Sequence, residues 1–393
     1  MKITGNFIVD HIPLEITLME RSVQSVKSNR ETSVKRDHFI STALVDIQVN
    51  GFVGNDLSDP TVTGTDVCEM VRELWRVGTG LICPTIVTNS FENISNSLKA
   101  VVKAYESDQR VADSILGIHL EGPYISEVDG PRGAHPLKHV RDPDWEEFQQ
   151  LQDIAQGKIC LVTLAPEKIG AIHFIEKLVE NGIVVAIGHT NATAEDISAA
   201  ISAGASLSTH LGNGAHAEIR RHPNYIWDQL AADELRASLI VDGHHLPASV
   251  VKSMIRAKTP KRCILISDAV SLAGLDSGNY EFAGSAVELT EDRVVRLAGT
   301  EYLAGSAIEL VKGIENTIKF TGLSLQKVIP MATLHPLIIL NEKERIEKMR
   351  DLFVFKYASE SQEITPVATI VNGELVYYDN NINVRNEAEC GTN

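Results

Sequence analysis

Six stretches of this 393-residue chain end in side chains able to do chemistry: Gln48-Val-Asn50, His119-Leu-Glu121-Gly-Pro, His189, His210, Asp242-Gly-His244-His245 and Asp268. Each follows an apolar, β-branched run and so stands where a strand exits into its loop. Glu121, His189 and His210 make an N,N,O set that suits zinc or a similar divalent ion and leaves a fourth position for water. Asp268 is a spare carboxylate able to take a proton from that water, and His245 a spare imidazole able to polarise a carbonyl. Taken singly, these residues have plainer readings. Glu121 reads equally well as a loop carboxylate, Asp268 as a helix N-cap, and either histidine as a hydrogen-bonded residue at a sheet rim. Packing alone gives no reason for polar residues to recur in one register on several strand ends. A metal site does, because its ligands must converge from neighbouring strands.

The elements that position these residues are legible around Ile183 to Gly214. The run Ile183–Ile187 ends in Gly188-His189. Thr193 is an expected N-cap with Glu195 and Asp196 in the first helical turn, and the run Ala205–Thr209 then ends in His210. Two such strand-helix units lie parallel after a right-handed crossover, which brings both histidines to one rim. Eight candidate strands follow this plan: Ala43–Val49, Leu81–Val87, Ile115–Leu120, Ile159–Leu164, Ile183–Ile187, Ala205–Thr209, Ala237–Val241 and Cys263–Ser267. Amphipathic stretches such as Asp66–Arg76, Asn93–Tyr105, Ile172–Asn181 and Ala248–Ala257 separate them. Eight apolar runs alternating with helices predict an α/β fold, a closed (β/α)8 TIM-like barrel whose strands are covered on both faces. An open doubly wound sheet is the alternative, but Gly51-Phe-Val-Gly54 is a poor phosphate turn.

Residues 1–42 and 346–379 alternate as short antiparallel strands, with Asn372-Gly373 as a hairpin turn, and predict one small β domain built from both termini around a barrel at 43–345. Ala269–Thr300 reads as a β-rich excursion, Ser306–Phe320 and Leu325–Leu340 as helices, and 380–393 as a frayed polar tail. His119 alternates with Glu121 and faces the same way, in a supporting role rather than as a ligand. His11, His38, His139 and His173 read as surface residues.

A formal charge of -16 argues against nucleic acid or an anionic membrane as partner, since both need a clustered positive surface. A small phosphate needs only one or two local cations or backbone N–H groups and stays open. The five cysteines are scattered and never form a C-x-x-C pair, which fits reduced thiols and a cytoplasmic location. The first residues carry acids within their apolar stretch, unlike a signal peptide, and no run approaches the roughly 20 apolar residues of a membrane span.

With these residues in place, the chain resembles the N-acetylglucosamine-6-phosphate deacetylases of the amidohydrolase superfamily. The resemblance rests on VDIQVNG, GIHLEGPYIS with GAHP soon after, IGHTNAT, STHLGN, VDGHHLP, LISDAV, LAGS and ATLHP, spread from about Val45 to Pro336. It implies a (β/α)8 barrel with a small β-sandwich made from both chain ends. It also implies that Glu121, His189 and His210 hold one divalent ion, zinc before iron, cobalt or manganese, and that Asp268 is the catalytic acid and base. Gln48 and Asn50 replace the His-x-His pair that many amidohydrolases use for a second metal, which implies a mononuclear site. By the same resemblance Ala134 and His135 form a substrate-contacting turn, and Asn213 and Gly214 a second. His245 contacts the sugar and carbonyl, Leu303, Ala304 and Gly305 form a further substrate loop, and Arg221 holds the sugar phosphate, often across a homodimer interface. The implied reaction converts N-acetylglucosamine 6-phosphate to glucosamine 6-phosphate and acetate. An amidohydrolase of another N-acyl sugar or a cyclic amide is the alternative. The loop from Gly212 to Pro223 departs from the family, with Gly212 before the asparagine, Gly214-Ala215 after it, and His222 in place of an acidic residue.

Overall fold

The computed structural model describes residues 1–28, 34–282, 285–299 and 303–380. Its centre is a parallel sheet of eight strands: β1 (Leu44–Val49), β2 (Thr79–Val87), β3 (Ile118–Glu121), β4 (Ile159–Leu164), β5 (Val184–Ile187), β6 (Leu207–Ser208), β7 (Arg236–Ile240) and β8 (Cys263–Ile266). Each strand pairs with the next in chain order, as right-handed crossovers require. The two edges meet through a bridge between Val49 and Ala269, and the carboxylate of Asp46 accepts the backbone N–H of Ser267 at 3.2 Å. That carboxyl is fully enclosed, and burial pushes its pKa up to about 7.

Helices cover the outside because their apolar faces match the sheet. Gly64–Arg76 is capped by a reciprocal box between Thr63 and Asp66 and buries Val67, Met70, Val71, Leu74 and Trp75. Each large apolar side chain removed from water in this way contributes roughly 1.5–3 kcal/mol. Thr193 caps Ala194–Ser202 by the same reciprocal bond, with Asp196, so the local chain direction after His189 is set by sequence. The segment expected as one helix over Leu325–Leu340 is broken into Leu325–Val328, a 3-10 turn at Ile329–Ala332 and Leu334–Ile339. Pro330 and Pro336 both lack the amide proton a continuous helix needs. The start of the expected helix Ser306–Phe320 also differs: Leu303–Ser306 is the last strand of a four-stranded antiparallel sheet, and the helix begins at Leu310.

Both termini build one small β domain. Strands Lys2–Phe7, Pro13–Met19, Ser22–Ser28 and His38–Thr42 join Leu352–Ala358, Glu363–Val371 and Glu374–Tyr378. Asn372 and Gly373 make its hairpin turn with φ of +46° and +80°. The two layers of the expected sandwich are continuous here: Asn6 pairs with Phe39 and closes the seven strands into a barrel, which leaves no free edge. Ile3, Ile16, Ile40, Val354 and Ile370 fill it. It is fixed to the large barrel by Thr369 Oγ1 donating to Trp75 O at 2.8 Å and by Asp351 O accepting from Ala43 N at 3.1 Å.

Candidate active site and metal centre

Four strands deliver a polar side chain in one register. His189, His210, Asp242 and Asp268 each stand two residues beyond the last residue of β5, β6, β7 and β8, while Glu121 ends β3. His189, His210 and Asp268 have φ of +50°, +28° and +48°. A left-handed residue without glycine costs on the order of 1–3 kcal/mol, and such costs concentrate where geometry serves function. Here the turn swings each side chain off the strand and over the barrel mouth.

The three expected ligands converge. Glu121 Oε1 lies 3.1 Å from His189 Nε2 and 2.9 Å from His210 Nε2, and the two Nε2 atoms are 3.1 Å apart. All three residues are buried. His189 Nδ1 donates to the carbonyl of Pro131 at 2.9 Å, which leaves a lone pair on Nε2. Gly214 makes room for that ring: its φ is +55°, and a Cβ there would sit 2.7 Å from His189 Nδ1. Burial acts to raise the pKa of Glu121, but the bonds from His189 and His210 outweigh it and hold the carboxyl well below its usual range. A buried carboxylate and two imidazole nitrogens aimed at one point fit a divalent cation of borderline softness.

Asp268 faces the same cavity. Asn50 Nδ2 donates to its Oδ1 at 2.6 Å, so one carboxylate oxygen is held and the other is not. Burial, then the charge of Glu121, push its pKa up to about 6. Gln48 contributes its backbone carbonyl, which accepts from Asp268 N at 3.0 Å. His119 bridges Ile47 O at 3.1 Å and Thr163 Oγ1 at 2.8 Å, and burial lowers its pKa to about 4, so it is neutral.

The cavity has a volume of about 440 Å³. It brings together Glu121, His189, His210, Asp268 and His245 with Ala134, His135, Asn213, Gly214, Leu303 and Gly305. Ala304 lies in the strand Leu303–Ser306. His135 sits deeper than a substrate turn suggests. Its Nε2 is 3.2 Å from His189 Nε2, and burial lowers its pKa to about 3. Arg221 is not among the lining residues; it is exposed on the loop before Asn224, which binds its carbonyl at 3.1 Å. Among the described residues the cavity wall holds no lysine or arginine.

Sequence reasoning missed Asp56, Ser58, Thr88 and Asn89, which also line the cavity. Asp56 closes the small hairpin Gly51–Phe52 to Asn55–Asp56 behind the first barrel strand, and burial raises its pKa. The glycines at 51 and 54 were the available signal, as hairpin and not phosphate-loop residues. Two of the histidines read as surface residues are corrected. His38 is buried on a strand of the terminal domain with Nδ1 2.9 Å from Asp37, and His139 is half-buried. The one belongs to a strand whose residues His38 to Ser41 are all buried, and the carbonyl of the other accepts from Arg141 Nη1 at 2.8 Å.

The amidohydrolase family pattern matches residues 39–376. The chain belongs to that family. Its curated relatives include the N-acetylglucosamine-6-phosphate deacetylase of Bacillus subtilis, 34% identical over 75% of this chain and 74% of that protein. The N-acetylgalactosamine-6-phosphate deacetylase of Escherichia coli O157:H7 is 31% identical over 86% and 83%. Among solved structures, a point mutant of the N-acetyl-D-glucosamine-6-phosphate deacetylase of Mycobacterium smegmatis in complex with N-acetyl-D-glucosamine-6-phosphate superposes with a TM-score of 0.80. The two are 26% identical, covering 96% of this chain and 99% of that one. The deacetylase of Thermotoga maritima gives 0.80 at 27% identity, covering 95% and 99%. This amidohydrolase is therefore a metal-dependent hydrolase of carbon–nitrogen bonds in the deacetylase branch of the family.

Proposed function

We propose that this amidohydrolase removes the acetyl group of N-acetylglucosamine 6-phosphate, giving glucosamine 6-phosphate and acetate in amino-sugar catabolism. The observation that carries the reading is the approach of Asp268 to the Glu121-His189-His210 cluster inside one cavity. Those three residues would hold one divalent ion, zinc in this proposal, which when bound supplies Lewis acidity to water and to the acetamide carbonyl. Asp268, with one oxygen tied to Asn50, uses the other to accept the proton of the attacking water and to return it to the leaving nitrogen. His245 donates to the oxyanion that forms. Ala134, His135, Asn213, Gly214 and the strand Leu303 to Gly305 enclose the sugar.

A phosphate on the substrate is held by one or two cations or by backbone N–H groups, and the described lining offers no lysine or arginine. Arg221 is exposed in a segment that also exposes the apolar Ile219 and Trp227, which supports a homodimer in which Arg221 enters the neighbour's cavity. No described helix is long and apolar enough to cross a membrane, and a cytoplasmic location belongs to the same proposal. A second reading, the galactosamine epimer, is favoured by the Escherichia coli relative and keeps the metal chemistry unchanged. Acetate release from N-acetylglucosamine 6-phosphate, its epimer and unphosphorylated N-acetylglucosamine, with elemental analysis of the loaded protein, is the test. Turnover that ignores the phosphate would point to a different N-acyl substrate.

A further inference from the structure

Among the described residues β4 is the one barrel strand whose end adds nothing to the cavity wall, although strand ends of this kind are where functional groups stand. Beyond it comes Glu167, a half-buried carboxylate that turns sideways. Leu164 of β4 pairs with Ile187 of β5, so Glu167 and Thr190, each three residues further on, come level. Glu167 Oε2 accepts from Thr190 Oγ1 at 2.5 Å, and Oε1 accepts from Asn191 N at 2.6 Å. Both oxygens are spent on the two residues that follow His189. The helix beyond does not need them, because Thr193 and Asp196 already close its start. The neighbouring Lys168 reaches Glu127 and Asp142, whose carboxylates are 62% and 46% exposed, and pairs so open to water contribute little.

We propose that Glu167 is a positioning residue: by holding Thr190 and Asn191 it keeps His189 in its left-handed turn, with Nε2 aimed at the point shared with Glu121 and His210. The proposal rests on the reading of His189 as a metal ligand. Three observations support it. His189 has a φ of +50°, a conformation that an imidazole-bearing residue keeps only where its surroundings enforce it. The loop after β3 grips His189 itself, through Ser126 N donating to its carbonyl at 2.9 Å and Pro131 O accepting from Nδ1 at 2.9 Å, whereas Glu167 grips what comes next. At the other histidine the backbone does that work: Leu211 N, directly after His210, donates to Ser238 O at 3.0 Å. After His189 a side chain from the preceding strand takes its place, and Thr190, the residue it holds, is buried.

The experiment strips the full chain of metal and titrates cobalt(II) into wild type, Glu167→Ala, Glu167→Gln, Thr190→Val and the variant carrying both Glu167→Ala and Thr190→Val. Losing a group that orients a metal-ligating histidine costs about 10–100-fold in metal affinity. Glu167 acts one residue further out, so Glu167→Ala should raise the Kd for cobalt by at least about fivefold. It should also alter the visible absorption of the bound ion, which reads the number and geometry of its ligands. Glutamine can still accept from Asn191 N and can donate to Thr190 Oγ1, so Glu167→Gln should return both readings to near those of wild type. Thr190→Val should weaken cobalt binding too, and the losses in the double variant should be less than additive, because both substitutions cut one bond. Unchanged affinity and spectrum in Glu167→Ala, even with a lower Tm of the metal-free protein, would overturn the proposal in favour of a purely structural carboxylate. Additive losses would do the same. If Glu167→Ala does not fold, Thr190→Val decides: wild-type affinity and spectrum in that variant overturn the proposal. A His189→Ala variant that binds cobalt as tightly as wild type overturns the ligand assignment, and the proposal with it, by a signature of its own.

Discussion

Replacing Asp268 with asparagine removes a base without removing a shape. Asparagine keeps a carbonyl oxygen where Asn50 Nδ2 donates at 2.6 Å, and Asp268 is not one of the three clustered ligands, so fold and metal content should survive. Burial and the charge of Glu121 push the carboxyl up to about 6, so at pH 7 roughly nine in ten molecules hold it ionised and ready to accept a proton. At pH 5 that share drops to about one in ten. The sign follows: activity is present above the pKa and lost as pH falls through it, with the acid limb at about 6, or lower once a cation sits beside the carboxylate. A positioned general base contributes about 10²–10⁴ in rate, or roughly 3–5 kcal/mol of barrier. Asp268→Asn should therefore lower acetate release at pH 7 by about that factor and abolish the acid limb, with the metal still present by elemental analysis. A variant that turns over within a few-fold of wild type, or that keeps the acid limb, would remove Asp268 from proton transfer.

Three further outcomes follow from the same geometry. Chelation should abolish acetate release and lower Tm by several degrees, because an ion at a thousand times its Kd stabilises by about 4 kcal/mol; zinc should restore both, and His189→Ala should erase the difference between loaded and stripped protein. Gly214→Ala puts a Cβ 2.7 Å from His189 Nδ1 at a φ of +55°, so it should cost about 1–2 kcal/mol of stability and weaken metal retention, read by denaturation and by metal titration; unchanged retention would refute the cradle. Arg221→Ala should raise KM for the phosphorylated sugar by at least about tenfold and leave the unphosphorylated sugar unaffected, while equal effects on both would refute a phosphate contact.

Much of this enzyme is written locally. Period-two and apolar runs mark the strands, Thr193 with Asp196 marks a helix start, and Asn372-Gly373 marks a hairpin, because caps and turns depend on neighbours in the chain. The rule that parallel barrel strands end at one rim then gathers Glu121, His189, His210 and Asp268 without any coordinates. Contacts between side chains far apart in the chain obey no such pattern. Nothing local in Asn50 announces its bond to Asp268, 218 positions later, nor in His135 its approach to His189. Nor does anything local announce the pairing of Asn6 with Phe39, 33 positions later, that closes the terminal barrel, or the burial of His38. Periodicity reports which face of an element is dry; which atoms meet across that dry space is set by the packing of all the elements at once.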